Sequence, residues 1–304
     1  MNRHSILPFL LALALSPLLP GIINRVKAIV AGRRGPPLFQ AYFDLWKLLR
    51  KGAVFSRTTT WVFRAGPVVG LAAVLTGALL MPLSKCPALV GFPVDFLLFA
   101  CLLGLMRFVT VLAALDTGSS FEGMGASREV FFSALAEPAL LVALATLARH
   151  AGALSLSSMF SPEAGGHSLG FAPVLALLVL ALIIILLAEN SRIPVDDPNT
   201  HLELTMIHEV MVLDHGGPDL GFILYGAALK LWLLSALVVG VVLPGTGDPR
   251  LDLALAVGAV FGVAVIVGVI ESVMARLRLM IVPQLLVGAG ALAATAFLLA
   301  LKLN

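Results

Sequence analysis

The sequence predicts an all-α integral membrane protein with about eight transmembrane helices. Of its 304 residues, 60% are hydrophobic and only 12% are charged, and the mean hydropathy is +1.03. A soluble domain carries about 25% charged residues. The apolar runs are long enough to cross a bilayer as helices, and the alternating strands of a membrane barrel do not occur. We therefore expect a single membrane domain over residues 1–304.

The apolar runs predict eight spans, separated mostly by short polar connections. A cleaved signal peptide is the alternative for the start of the first run, but no A-x-A site follows that run. No internal repeat is evident. The helices are expected at about residues 5–30, 61–83, 92–115, 129–148, 171–188, 220–243, 252–274 and 281–301.

Lysine and arginine predict the orientation of the spans. They are concentrated between the first two spans and are sparse on the alternate side. The first loop is therefore expected in the cytoplasm, and the even span count places both termini outside it. The loops expected to face the cytoplasm are about 31–60, 116–128, 189–219 and 275–280. The net charge of +3 follows from this topology and does not indicate nucleic-acid binding.

The first loop contains GPPLFQAYFDLWKLLRKG, residues 35–52, which can form an amphipathic helix. Leucines recur in it at helical spacing, and Asp44 and Lys47 are expected to interact as i,i+3 partners. The segment can lie on the bilayer surface, bind a partner, or do both.

Ionisable residues that need an explanation inside predicted spans include Arg107, Glu137, Lys230 and Glu271. Arg107, in the third span, can be paired with a carboxylate. Ionisable groups are costly in hydrocarbon, so they are usually paired, protonated or functional. A proton-relay role is expected for Glu137, with a neutral carboxyl bonded to a neighbouring helix as the alternative. Glu271 is interpreted in the same way, with a simple ion pair to Arg276 or Arg278 as the alternative. Lys230 can be a countercharge within a polar axis or can snorkel to the interface.

Residues 189–214, ENSRIPVDDPNTHLELTMIHEVMVLD, concentrate carboxylates and histidines between two apolar spans. Part of this acidity has a structural explanation. Asp197 before Pro198 can cap a helix, and Thr200 with Glu203 can form a capping box. Such caps do not explain the remaining acidic residues, which are Glu189, Asp196, Glu209 and Asp214.

Histidines 201, 208 and 215 repeat every seven residues after this cap. On a continuous helix their rings would be about 10 Å apart, which is too far to share a metal. We therefore expect no metal site, and we expect His201 and His208 to titrate near neutral pH or to contact a partner.

The sequence lacks the motifs of three other kinds of site. The glycine-rich loop 116–128 has no phosphate-loop lysine, and no nucleophile motif occurs. With only two cysteines, the chain cannot build an iron–sulfur cluster or a structural zinc site by itself.

The 189–214 stretch, the first-loop segment, Glu137 and the eight-span count together resemble the complex I subunit 1 family, a family of NADH dehydrogenase membrane subunits. Within the family, R-I-P-V-D-D-P-N-T-H-L-E-L-T-M-I-H-E is similar to the branch of formate hydrogenlyase and hydrogenase 4 membrane subunits. Complex I subunits resemble R-x-P-F-D-L-x-E-x-E-x-E-L-V there. Their seventh span also ends in R-x-R-Y-D, where this chain has Met280 in place of the acidic residue.

The resemblance implies a membrane subunit in a bacterial or archaeal cell membrane. It would anchor the small (iron–sulfur) and large subunits of a nickel–iron hydrogenase and contact antiporter-like membrane subunits. It would hold no cofactor itself, because the nickel–iron centre and the clusters belong to partners. The implied proton or ion path contains Glu137, Glu189, Asp196, Glu203, Glu209, Lys230 and Glu271. Residues implied in docking or loop structure are Arg34, Asp44, Lys47, Arg192, Asp197, His201, His208, Asp214, Arg276 and Arg278.

Two alternatives stay open. One is a quinone-site subunit of respiratory complex I, against which the His-rich segment and Met280 argue. The other is an independent ion transporter, against which the absence of an evident repeat and the one-sided loops argue.

Overall fold

The structure is a computed structural model that describes residues 3–83, 86–161, 171–196 and 206–303. All its long regular elements are α-helices, and seven of the described helices are long and apolar enough to cross a membrane. A bent pair at the N-terminus raises that number to eight. The chain is thus a multi-pass membrane protein of the all-α class. The helices are α1 (Arg3–Leu15), α2 (Leu18–Val30), α3 (Gln40–Arg50), α4 (Trp61–Leu80), α5 (Asp95–Asp116), α6 (Ser120–Ala151), α7 (Leu156–Met159), α8 (Ala172–Glu189), α9 (Gly217–Val242), α10 (Pro249–Val273) and α11 (Val282–Leu303).

The sequence predicted one first span over residues 5–30. In the structure this span consists of two helices, α1 and α2, joined at a 49° bend. Pro17 lies at the junction, and a proline cannot donate the backbone hydrogen bond that would continue the helix. The amphipathic helix expected in the first loop is confirmed as α3.

Helix α9 lies at the centre of the bundle. Almost every residue from Ala228 to Val241 is buried, including the charged Lys230. Helices α4, α8 and α10 pack around it, and small residues allow close approaches elsewhere. A Cβ at Gly268 of α10 would lie 2.9 Å from Val26 of α2. This glycine therefore permits tight packing of α2 on α10.

The glycine-rich segment 116–128 was expected to be a loop, but most of it is helical because α6 begins at Ser120. Gly125 faces the segment 206–212, where a Cβ would lie 2.3 Å from Val210 and 2.9 Å from the Ile207 carbonyl. Gly125, which is typical of a loop in the sequence, is thus needed for close packing of a helix on the segment 206–212.

The four connections expected on one side do lie at one end of the bundle. Asp116 accepts from the Thr60 amide, Glu122 from the Asp214 amide, and Pro194 from the Leu277 amide. Residues 206–216 between them do not form the continuous helix that the histidine spacing suggested. They contain only a short 3₁₀ turn, Glu209–Val212.

Candidate functional site

A buried group of charged side chains joins four helices, and we call it the Arg107 cluster. It contains Arg107 of α5, Glu129 and Glu137 of α6, Glu189 of α8 and Lys230 of α9. The guanidinium of Arg107 forms ion pairs with all three carboxylates. Burial makes such pairing necessary, because an unpaired charge in hydrocarbon is costly.

The distances show how the two cations are paired. Arg107 Nη1 lies 2.9 Å from Glu137 Oε1, and its Nε lies 3.3 Å from Glu129 Oε1. Its Nη2 contacts Glu189 Oε2, and the same oxygen is 2.8 Å from Lys230 Nζ. Lys230 is therefore a countercharge within the bundle, and the snorkelling alternative is wrong.

With all five groups ionised, two cations face three carboxylates, so the Arg107 cluster carries a formal charge of −1. A buried group with an excess negative charge favours the uptake of a cation or a proton. Glu137 is the most exposed carboxylate of the cluster, because 46% of its side chain is exposed, against 1% for Glu189.

Glu137 borders a cavity of about 380 Å³ between α5 and α6. Gly104 of α5 makes room for the carboxylate, since a Cβ there would lie 3.2 Å from Glu137 Oε1. A smaller cavity of about 30 Å³ contacts Glu129, Glu189, His208 and Lys230 on the other side. Both cavities border Arg107, and both have room for water.

A second charged group, the Glu271 cluster, lies where α2 meets α10. Lys27 Nζ is 2.8 Å from Glu271 Oε2, and Arg192 Nη1 is 3.5 Å from Glu271 Oε1. The structural alternative for Glu271, an ion pair with Arg276 or Arg278, is therefore wrong. Arg276 instead pairs with Asp196 at 2.8 Å, and Arg278 is exposed.

One short segment, residues 189–196, contributes to both clusters. Glu189 ends α8, and Ser191 follows with a left-handed φ of 48°, which takes the chain out of the helix. Arg192 can therefore reach Glu271 while Glu189 stays with Arg107. Asp196 pairs with Arg276 and also accepts from the Ile207 amide at 2.9 Å.

The two described histidines of this region do not titrate near neutral pH, contrary to the sequence expectation. Burial lowers the pKa of His208 to about 4, and Lys230 adds to this effect. Burial also lowers the pKa of His215 to about 4. The His215 ring stacks on Phe63 with 3.9 Å between ring centroids. Both histidines are therefore neutral at physiological pH, and His215 packs on Phe63.

Other predicted residues lie apart from the clusters. Asp44 accepts from Gln40 at 2.8 Å, and no ion pair joins it to Lys47 in the part of the chain that the structure describes. Arg34 and Lys47 are exposed at the same end. Glu209 begins the 3₁₀ turn, and Asp214 is exposed beside Glu122. Asp197, His201 and Glu203 lie outside the described residues.

The sequence patterns did not identify two members of the clusters. Glu129 precedes Glu137 by about two turns of one helix, a spacing that could have marked both carboxylates. Lys27 was counted only among the basic residues at the end of the first span, and nothing in its local sequence distinguishes it from them.

Comparison with known proteins shows that the chain is similar to membrane subunits of respiratory and hydrogenase complexes. A family model described as NADH dehydrogenase matches residues 4–301. Formate hydrogenlyase subunit 4 of Escherichia coli is 30% identical, with 93% of each chain covered. Hydrogenase-4 component C of the same organism is 31% identical, covering 89% of this chain and 86% of that protein.

The fold also matches a solved structure. A chain in the structure of the membrane-bound sulfane sulfur reductase, described as an archaeal respiratory membrane complex, superposes with a TM-score of 0.83. The match covers 98% of both chains at 22% identity, so it supports the fold alone.

Proposed function

The chain belongs to the NADH dehydrogenase family, as a protein similar to complex I subunit 1, and from that premise we propose that it is the membrane anchor and coupling subunit of a multi-subunit nickel–iron hydrogenase. Two relatives of matching length carry hydrogenase and formate hydrogenlyase names. The proposed location is a bacterial or archaeal cell membrane, with both termini outside the cytoplasm.

The proposed docking surface is the end of the bundle where the four connections meet. It presents α3, whose Phe43 and Trp46 are exposed, and the exposed Leu213 beside Asp214. Exposed apolar side chains grouped with charges are typical of partner surfaces. The small and large hydrogenase subunits would bind here, and antiporter-like subunits would pack against the membrane helices.

The nickel–iron centre and the iron–sulfur clusters are assigned to those partners. Within the described residues, no group of three or more His, Cys, Asp and Glu side chains is placed to hold a metal ion. The chemistry that we assign to this subunit is the handling of protons or ions by its carboxylates.

The single observation that carries this part of the proposal is the buried Arg107 cluster with its formal charge of −1. Protons or ions would pass through Glu137, Glu189 and Lys230, with Asp196 and Glu271 on the docking side. Movement of residues 189–196 would change how tightly Glu189 is paired, and thus its affinity for a proton. Glu203 and Glu209 remain proposed members of the same path.

The test separates electron transfer from ion movement. Glu137→Gln and Glu189→Gln are introduced into the complete complex, and hydrogenase activity is measured beside proton or sodium translocation in liposomes. Translocation is expected to fall while hydrogen turnover persists. Glu122→Gln is the matched control. Glu122 is also a buried carboxylate of α6, but it accepts a hydrogen bond from the Asp214 amide and does not contact Arg107. Undiminished translocation in both variants would remove the two carboxylates from the path.

A quinone-binding subunit is the second candidate, since a cavity of about 230 Å³ lies between α2, α3 and α9. Its volume is below the roughly 300–1,000 Å³ of typical ligand pockets, so the hydrogenase role is preferred. Loss of activity with a quinone-competitive inhibitor of the purified complex would reverse this preference. Transport by the chain alone in liposomes would instead support an independent transporter.

A further inference from the structure

The break between α1 and α2 exposes backbone carbonyls that a continuous helix would have paired. Pro17 has no N–H, so the carbonyl of Leu13, four residues earlier, loses its donor. The carbonyl of Ala14 would have accepted from Leu18, where α2 begins instead. Carbonyls without donors are costly within a membrane, where water does not replace the missing partner.

Each of these two carbonyls accepts a hydrogen bond from a tyrosine. Tyr225 Oη of α9 donates to the Leu13 carbonyl at 3.0 Å. Tyr42 Oη of α3 donates to the Ala14 carbonyl at 2.5 Å. The chain contains only two tyrosines, and both are used here. Burial and the nearby Tyr225 raise the pKa of Tyr42, so its hydroxyl stays protonated and remains a donor.

The bend fixes the direction of α2, which carries Lys27 into the Glu271 cluster. Helix α2 packs against α10 through Gly268, and Lys27 reaches Glu271 three residues further along α10. The cavity of about 230 Å³ beside the break is bordered by Pro17, Pro20 and Arg192. Arg192 is the other partner of Glu271, so this cavity borders both the break and the Glu271 cluster.

We propose that Tyr42 and Tyr225 are positioning residues: their hydroxyls hold the bend of the first span and thereby hold Lys27 against Glu271. Tyr42 belongs to the surface helix α3, and Tyr225 belongs to the central helix that carries Lys230. The break is therefore tied both to the docking end and to the Arg107 cluster. The geometric part of this proposal stands by itself, whereas its effect on ion movement rests on the proposed function.

The bend can be measured directly in the complete complex. Spin labels at positions 7 and 29, whose native Leu7 and Ile29 are exposed on α1 and α2, report the distance across the break by pulsed electron paramagnetic resonance. Cys86 and Cys101 are replaced by alanine. The parent protein is expected to give one narrow distance distribution. Tyr42→Phe with Tyr225→Phe, which removes only the two hydroxyls, should broaden it toward longer distances.

Thr295→Val is the matched control, because Thr295 also donates to a helix carbonyl, that of Leu292, but in an unbroken helix. It should leave the distribution unchanged. Broadening in this control, or no broadening in the double tyrosine variant, would overturn the proposal.

A second readout tests the link to Lys27. The double tyrosine substitution should alter the pH profile of ion translocation in the same direction as Lys27→Gln, and it should cause no further change in the Lys27→Gln background. Additive effects would show that the tyrosines do not act through Lys27. If Glu137→Gln and Glu189→Gln leave translocation intact while the distance distribution still broadens, the ion path fails and the positioning role stands.

Discussion

Replacing Arg107 with methionine isolates the electrostatics of the buried cluster. The substitution keeps an unbranched side chain but removes the charge that faces Glu129, Glu137 and Glu189. The formal charge of the cluster then changes from −1 to −2, since Lys230 is the remaining cation. Breaking a buried ion pair by removing one partner costs about 3–5 kcal/mol.

The exposure of each carboxylate decides which contacts contribute to this loss. The side chains of Glu189 and Glu129 are 1% and 11% exposed, so their contacts with Arg107 count as buried. The side chain of Glu137 is 46% exposed, and its contact is therefore discounted to about 0–1 kcal/mol. The expected loss is about 3–5 kcal/mol in total, with most of it coming from Glu189 and Glu129.

Thermal unfolding in detergent, followed by circular dichroism, provides the assay. At roughly 2 °C per kcal/mol for a chain of this size, Tm should fall by about 6–10 °C. Adding Glu189→Gln to Arg107→Met returns the formal charge to −1 and should recover part of the loss. Arg250→Met, at an exposed arginine of the opposite end, should leave Tm unchanged. A Tm for Arg107→Met equal to that of the parent, or no recovery in the double variant, would refute the reasoning.

Three further outcomes are expected. Gly125→Ala should destabilise the protein by about 1–3 kcal/mol, because the new Cβ meets Val210. Gly123→Ala in the same helix meets nothing within 4 Å and should be neutral or slightly stabilising. If the two variants change the free energy of unfolding equally in denaturant titrations, the packing of Gly125 on Val210 is contradicted. The low pKa values of His208 and His215 mean that the unfolded chain binds protons first. The stability that depends on these histidines is therefore complete above about pH 6.5 and should fall as the pH decreases toward about 4, by at most about 3 kcal/mol for each histidine. His208→Gln should flatten this decline in Tm against pH, and an unchanged pH dependence would show that His208 is not responsible. Glu271→Gln should lower Tm, because Glu271 pairs with both Lys27 and Arg192. A Tm equal to that of the parent in thermal unfolding would contradict the assigned pairing.

Local sequence was sufficient for the class of protein and for most of its elements. The apolar runs identified the spans because a helix must be long enough to cross the hydrocarbon, and the periodicity of the first loop identified α3. It also marked Glu137, Glu189, Lys230 and Glu271, since ionisable residues inside apolar runs need an explanation. It misjudged 116–128, because the packing that requires Gly125 comes from Val210 and Met211, far along the chain.

Charge pairing was decided only by the tertiary structure. Arg107 and Glu189 are 82 residues apart, and Glu271 pairs with Lys27 at the other end of the chain instead of with the nearby Arg276. A helix presents its neighbouring charges on different faces, so sequence proximity does not choose partners once several helices meet. Likewise the first span breaks at Pro17, and the hydroxyls that donate to the freed carbonyls come from α3 and α9. Sequence by itself therefore determined which groups were costly to bury, and the packing of distant helices determined how each cost was offset.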